Sequence, residues 1–234
     1  MTVDRNTAYA GVAGVAVPGP AGAVPRPARG ARPPARVRDL RERAGAAPHA
    51  LTFGARDLVV VSGLPGSGKS TLMRRTVRGV RVDSQDTREG WDARLARFLP
   101  YAVYRPLVRL AHYAALGRAL RTDQGVVVHD CGAQRWVRGW LARAARRRGG
   151  ALHLLLLDVA EGTALAGQRR RGRGVSRYAF LRHRGATHRL LRAVEQGRPP
   201  EGCASAVLLD RDAANALRHI TFAAEPEEHG PWGR

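Results

Sequence analysis

The sequence predicts an α/β fold with a parallel β-sheet at its centre. Five short apolar runs are separated by stretches with helical periodicity, and continuous apolar runs are typical of strands that are buried on both faces of a sheet. A glycine-rich turn directly follows the first run. The runs are DLVVVS (57–62), VRVD (80–83), GVVVHD (125–130), ALHLLLLD (151–158) and ASAVLLD (204–210).

Four of the five runs end on an aspartate. Open α/β sheets bind their ligands at the carboxyl ends of the strands, so these acids are candidates for metal and proton chemistry. An aspartate in this position can also cap the helix that follows. We predict this capping role for Asp158 and Asp210.

The segments between the runs have the apolar spacing of amphipathic helices. In the long insertion after the second run, 104–121 is expected to carry Leu107, Leu110 and Leu120 on an apolar face. The predicted helices cover 69–77, 92–97, 104–121, 135–148, 161–171, 176–195 and 211–219.

The two ends of the chain differ in composition from the middle. Residues 1–50 are rich in alanine, glycine, proline and arginine. A segment that buries so little apolar surface is predicted to be disordered, with a short helix around 37–44. The compact domain is expected to cover 51–222, and 223–234 to form a flexible tail.

Lys69 is the only lysine in a chain that has 40 basic and 19 acidic residues and a net charge of +21. Such a charge is typical of proteins that bind nucleic acid or other polyanions. The charge is spread rather than blocked, however, and the near-total use of arginine is also typical of a biased coding composition. Both interpretations stay open.

Compartment and membrane association are constrained by what the sequence lacks. Cys131 and Cys203, the only cysteines, have no spacing that suggests a disulfide framework or a metal site. A reducing cytoplasmic setting is therefore expected. No apolar run approaches the ~20 residues of a membrane span, and the first residues lack the order of a signal peptide.

The stretch GLPGSGKS at 63–70 fits the phosphate-binding pattern G-x-x-x-x-G-K-[ST], with an apolar strand before it and a helix-forming segment after it. A compact ammonium on a flexible stem suits a tightly wrapped loop better than a broad guanidinium. Lys69 is expected to neutralise charge on the transferred phosphate, Ser70 to bind Mg²⁺, and Thr71 to lie near the α-phosphate. ATP and Mg²⁺ are the predicted cofactors. The predicted nucleotide contacts are Gly63, Leu64, Pro65, Gly66, Ser67, Gly68, Lys69, Ser70 and Thr71.

The segment DSQDTR (83–88) follows the second predicted strand. Phosphoryl transfer needs a group that orients or deprotonates the acceptor, and Asp83 and Asp86 are the candidates for this role. Arg88 is the candidate for holding an anionic acceptor. Asp86 can instead cap the helix that follows.

Asp130 ends the third predicted strand, where a carboxylate can hold Mg²⁺ through water. Its alternative role is to cap the helix predicted at Arg135. The preceding His129 is expected to pack rather than to catalyse.

The basic run QRRRGRG (168–174) follows the fourth strand and its helix. Arginines on a mobile lid can close over phosphates and stabilise the transferred group, and Arg169 and Arg173 are the candidates. Gly172 and Gly174 would give the segment hinge freedom. A solvated charge run is the alternative.

Taken in order, these parts resemble the P-loop kinase-like group that includes phage polynucleotide kinase, zeta toxins and chloramphenicol phosphotransferase. GLPGSGKST is similar to their nucleotide loop, DSQDTR to the acidic segment after their second strand, HDCG to the segment after their third, and R-x-x-x-R-G to their lid. Gln85 stands where polynucleotide kinases have the first of two acids. The resemblance, which covers about 57–210, implies a three-layer sandwich with a five-stranded parallel sheet of order 2-3-1-4-5 and a helical lid.

Three functions follow from these observations. The first is an ATP- and Mg²⁺-dependent kinase that acts on a hydroxyl of a small molecule or a nucleic-acid end, with the insertion 91–122 lining the acceptor pocket. The second is an ATPase or nucleotide-dependent switch without a phosphoacceptor. The third is a nucleic-acid-binding module with a regulatory nucleotide site.

Overall fold

The computed structural model describes residues 35–43, 46–95, 101–129, 135–170 and 177–223. All of them belong to one compact unit, Pro34–Arg234. The strands are β1 (Arg36–Asp39), β2 (Ala50–Gly54), β3 (Leu58–Gly63), β4 (Val80–Val82), β5 (Val126–His129), β6 (Leu152–Leu157), β7 (Cys203–Leu209) and β8 (His219–Ala223). The helices are α1 (Lys69–Thr76), α2 (Ser84–Leu95), α3 (Tyr101–Ala119), α4 (Arg135–Arg147), α5 (Glu161–Arg170), α6 (Arg177–Glu195) and α7 (Arg211–Ala216).

A six-stranded parallel sheet forms the centre, with strand order β1-β7-β6-β3-β5-β4. The five predicted strands are β3 to β7, and their order in space is the expected 2-3-1-4-5. The α/β class and this order are therefore confirmed. The count of five is wrong, because β1 adds a sixth strand beside β7.

The strand β1 corrects the prediction for the N-terminal segment. Arg36–Asp39 is extended and pairs in parallel with β7, so neither a helix around 37–44 nor a domain start at residue 51 is correct. Backbone pairing with β7 and the burial of Leu40 hold this segment in place. Neither interaction can be recognised from the local composition, on which the prediction of disorder depended. Residues 1–34 lie outside the described residues.

A second, two-stranded parallel sheet joins β2 to β8, with Ala50 opposite His219 and Gly54 opposite Ala223. Because this strand begins at His219, the helix predicted over 211–219 ends at Ala216. The strand also runs one residue past the expected domain end at 222. Residues 224–234 lie outside the described residues.

Two apolar cores lie on the two faces of the main sheet. The first packs residues of α3, α4 and α6 against the sheet, and the second packs α1, α7, β2 and β8 against the other face. Strands β3 and β6 contribute to both cores, which explains their continuous apolar sequences. The predicted three-layer arrangement is thereby confirmed.

The helix α3 turns a different face to the core than its sequence suggested. Val108, His112 and Leu116 are buried at four-residue spacing, while Leu107 and Leu110 are 48% and 67% exposed. The predicted face, with Leu107, Leu110 and Leu120, has a spacing that is equally compatible with an amphipathic helix. Two large apolar side chains therefore remain on the surface of this helix. None of the described helices is long and apolar enough to cross a membrane.

Arg41 bridges acidic residues at the carboxyl ends of two strands, β1 and β6, and of helix α6. Its guanidinium lies 2.7 Å from carboxylates of Asp39, Asp158 and Glu195. Asp158, which was expected to cap a helix, therefore forms an ion pair. Asp210 does cap α7, accepting a hydrogen bond from the amide of Ala213 at 2.8 Å, as predicted.

A buried polar network holds the opposite, amino edge of the sheet. Asp57 accepts hydrogen bonds from the backbone amides of Gly54 and Ala151, both at 2.7 Å, and contacts Nε2 of His153 at 2.9 Å. The other ring nitrogen of His153 lies 2.8 Å from the hydroxyl of Ser205. Burial raises the pKa of Asp57, but these hydrogen bonds outweigh it and hold the pKa below its usual value.

Candidate nucleotide-binding site

The loop between β3 and α1 curls through three glycines with positive φ. The φ angles of Gly63, Gly66 and Gly68 are 146°, 88° and 98°, values that residues with a side chain rarely adopt. Gly68 occupies the N-cap position of α1, so the helix begins at Lys69. The loop thus ends at the positive end of a helix dipole, an arrangement that favours bound anions.

Lys69 is only 7% exposed, and its ammonium group lies against the backbone of this loop. Its Nζ donates hydrogen bonds to the carbonyl oxygens of Gly63, at 2.9 Å, and Leu64, at 2.7 Å. These bonds hold the single lysine of the chain against the backbone of the loop that is expected to bind phosphate. The position suits a cation that has to meet the terminal phosphates of a nucleotide.

Two serines add hydroxyls to the loop. Ser70 is buried in the first turn of α1. The Ser67 amide donates to the Leu64 carbonyl at 3.1 Å, and its hydroxyl is buried without a hydrogen-bond partner among the described residues. A buried hydroxyl with no partner requires an explanation, and a phosphate oxygen would supply the missing acceptor. The loop therefore fits the phosphates of a nucleotide and, through Ser70, the oxygen ligation that Mg²⁺ requires.

Helix α5 packs directly on the loop at Gly66. A Cβ atom on this glycine would lie 2.1 Å from the carbonyl oxygen of Ala164 and 2.8 Å from Cγ of Gln168. Glycine is therefore required at position 66 because φ is positive there and because α5 leaves no room for a side chain.

Asp83 follows β4 and is completely shielded from solvent at its side chain. Its Oδ1 accepts a hydrogen bond from the Gln85 amide at 2.9 Å and so caps α2, whereas its Oδ2 has no partner among the described residues. His129, at the end of the neighbouring β5, lies 3.9 Å from Oδ1 and 3.0 Å from the Ser84 hydroxyl. Oδ1 thus has a structural role, whereas Oδ2 lies at the carboxyl edge of the sheet without a hydrogen bond to the described residues.

His112 faces the same region from α3. Burial lowers its pKa below the usual value, and the Asp83 carboxylate opposes this with a smaller effect. The ring is therefore uncharged at neutral pH.

Asp86 lies on α2 and forms ion pairs with two arginines. Its carboxylate accepts hydrogen bonds from Arg74 at 2.8 Å and from Arg81 at 3.0 Å. Burial raises its pKa, but the two arginines outweigh this effect and keep the pKa below its usual value. A carboxylate that is held by two guanidinium groups is a poor proton acceptor.

The remaining predicted residues are only partly described. Arg88 is half-buried on α2, and Arg169 is exposed in the last turn of α5. Asp130 and Arg173 lie outside the described residues, so their predicted roles stay predictions. Within the described ranges, no three His, Cys, Asp or Glu side chains cluster as metal ligands.

A family model described as an AAA domain matches residues 58–194. The chain belongs to this AAA domain family. The matched region runs from the start of β3 into α6, so it contains the phosphate loop, both aspartates of the acidic segment and Arg169. No curated protein matches the sequence.

Solved structures with a similar fold share little sequence with this AAA domain protein. A structure from the PezAT chromosomal toxin–antitoxin system of Streptococcus pneumoniae has a TM-score of 0.50 and 12% identity, over 72% of this chain and 79% of that one. A candidate kinase from Chloroflexus aurantiacus has a TM-score of 0.46 and 13% identity, over 68% and 86%. A gluconokinase from Sinorhizobium meliloti has a TM-score of 0.38 and 20% identity, over 70% and 93%.

The family match shows an AAA domain that contains the phosphate loop, and the likeness to the PezAT structure shows a shared fold. They leave the acceptor open. The position of Gln168 beneath the loop is a feature that the sequence did not reveal, because no local pattern connects it to Pro65.

Proposed function

We propose that this AAA domain protein is a kinase that transfers the γ-phosphate of ATP to a hydroxyl of a small molecule or of a nucleic-acid end. The observation that carries the proposal is Asp83, a buried carboxylate at the same sheet edge as the phosphate loop, one oxygen of which receives no hydrogen bond from the residues that the structure describes.

The distance between the loop and Asp83 suits transfer between two bound molecules. Two strand spacings separate β4 from β3, which corresponds to roughly 10 Å. A triphosphate that is held at Lys69 and extends toward β5 would bring its terminal phosphate within reach of a hydroxyl at Asp83. Exclusion of water from this position would protect the phosphate from hydrolysis.

Each predicted residue then has a role. The amides of the loop and Lys69 bind the β- and γ-phosphates, and Ser70, together with Asp130, would hold Mg²⁺. When bound, Mg²⁺ would neutralise charge on the phosphates. Asp83 Oδ2 accepts the proton of the acceptor hydroxyl, and Arg169 is available to stabilise the transferred group.

Arg88 and Arg173 complete the proposed set, Arg88 for an anionic group on the acceptor and Arg173 beside Arg169 on the lid. Asp86 is assigned a supporting role, since its ion pairs with Arg74 and Arg81 fix α2 next to β4.

A row of rings beside Asp83 favours an acceptor that carries a flat ring. The ring of His112 lies 5.8 Å from that of Tyr113, which lies 5.8 Å from that of Trp136. The row leads from the buried surroundings of Asp83 to Trp136, which is 58% exposed. Stacking of a ring on such a surface contributes about 1–3 kcal/mol.

The test compares Asp83→Asn with Asp86→Asn. Asparagine keeps the oxygen that caps α2 but cannot accept the proton, so Asp83→Asn should lower transfer about 10²- to 10⁴-fold with ATP affinity unchanged. The matched Asp86→Asn variant should retain transfer. Wild-type transfer by Asp83→Asn would contradict the proposal.

The acceptor is found by a screen with labelled ATP and Lys69→Ala as the blank. Ring-bearing alcohols, nucleosides, 5′-hydroxyl oligonucleotides and ring-free polyols make up the panel. ATP hydrolysis that proceeds steadily and is insensitive to every acceptor would favour the ATPase or switch instead.

A further inference from the structure

Helix α5 and the phosphate loop approach each other at backbone distance. A Cβ atom on Gly167 would lie only 2.5 Å from the carbonyl oxygen of Gly66, in addition to the close approach of Ala164 to Gly66. Neither glycine can be replaced without moving the helix or the loop. The loop is therefore shaped from outside by α5 as well as by its own glycines.

Within this contact, one side chain makes a directed bond. Gln168 is 8% exposed, and its Nε2 donates a hydrogen bond to the carbonyl oxygen of Pro65 at 2.9 Å. The carbonyl of Pro65 is thereby held on the side of the loop that faces α5.

The orientation of this carbonyl determines that of the next amide. The peptide bond between Pro65 and Gly66 is trans, so its C=O and N–H point in opposite directions. With the Pro65 oxygen bonded to α5, the Gly66 N–H points away from α5 and is available to a phosphate oxygen.

We propose that Gln168 is a positioning residue for nucleotide binding, which presets the Gly66 amide by holding the Pro65 carbonyl. The proposal rests on the ATP-binding part of the proposed function and not on the identity of the acceptor. Gln168 also precedes Arg169 in the last turn of α5, so the same bond links the loop to the start of the arginine run.

Two variants of similar size separate the bond from the packing. In Gln168→Met the donor is lost, and the affinities for ATP and ADP should fall about three- to tenfold, the effect of one hydrogen bond. In Gln168→Glu the ionised carboxylate repels the Pro65 carbonyl, so the loss should be larger at pH 8. Protonation restores a donor, so the affinity relative to wild type should recover as the pH falls toward about 5.

Binding of ATP and ADP to the full chain is measured by calorimetry across this pH range, and the unfolding midpoint is recorded without nucleotide. Gln124→Glu, which introduces the same charge at an exposed position before β5, is the matched control and should show no pH-dependent recovery. Wild-type affinity in Gln168→Met, or a Gln168→Glu defect that does not change with pH, would overturn the proposal. Because binding needs no acceptor, this result is independent of whether a kinase activity is found.

Discussion

Gly66 and Gly68 form a natural pair for separating backbone strain from steric exclusion. Both have positive φ, and both lie in the phosphate loop. A Cβ on Gly66 would collide with the Ala164 carbonyl at 2.1 Å, whereas a Cβ on Gly68 would meet nothing within 4 Å. Alanine at these two positions therefore differs in space but not in backbone angle.

The expected losses follow from these distances. An alanine forced to positive φ costs about 1–2 kcal/mol, and this is the whole loss expected for Gly68→Ala. Gly66→Ala adds an overlap with a carbonyl oxygen in a fixed helix, and overpacking of this kind costs a further ~1–3 kcal/mol. Gly66→Ala should therefore unfold more easily than Gly68→Ala by at least about 1 kcal/mol.

The free energy of unfolding is measured by urea titration without nucleotide, with tryptophan fluorescence and circular dichroism as two independent signals. The dependence on urea should be the same for both variants, so that the midpoints report stability alone. Equal losses in the two variants, or a larger loss in Gly68→Ala, would refute the claim that α5 confines the loop.

Three further predictions concern the rest of the molecule. Asp57→Ala leaves two backbone amides unpaired and should lower the free energy of unfolding by about 2–4 kcal/mol. Because the pKa of Asp57 is depressed in the folded state, its carboxylate contributes fully to stability above the unfolded-state pKa of about 4, and this contribution is lost as the pH falls through the folded-state pKa. Acid titration of the wild type and the variant checks this. Arg41→Ala removes partly exposed ion pairs and should lower the free energy of unfolding, measured by heat or urea, by only about 1 kcal/mol. Because the hydrogen bond from Arg41 is the main cause of the lowered pKa of Asp39, this loss of stability should become smaller below about pH 4. A loss that did not change with pH would contradict this account. Trp136→Ala should raise the KM for a ring-bearing acceptor about five- to hundredfold with kcat unchanged, and Trp136→Phe should have a KM close to that of the wild type. Steady-state kinetics with equal KM values for the wild type and Trp136→Ala would refute stacking.

The parts of the structure that the sequence predicted are those whose cause is local. Eight consecutive residues determine the phosphate loop, and a buried strand is recognisable by its continuous apolar residues. Strands β1 and β2 could not be recognised in this way, because they are short, partly exposed and stabilised by partners far along the chain. Arg36 pairs with Ser205, and Ala50 with His219.

The choice between Asp83 and Asp86 illustrates the same limit within the site. Both carboxylates follow β4, and the sequence offered either as the group that faces the acceptor. What separates them is the pairing of Asp86 with Arg74 on α1, twelve residues away, and with Arg81. Likewise, Gln168 is separated from Pro65 by 103 residues, so only the folded chain brings them together.

The pairing of β2 with β8 has a consequence for synthesis of the protein. Thr52 and Thr221, whose hydroxyls lie 3.0 Å apart, are separated by 169 residues. At a translation rate of about 5–20 residues per second, β2 waits roughly 10–30 s for its partner to be made. During this interval the backbone edge of β2 lacks its β8 partner and is open to other chains or to chaperones, so the nascent chain is exposed to aggregation until β8 emerges.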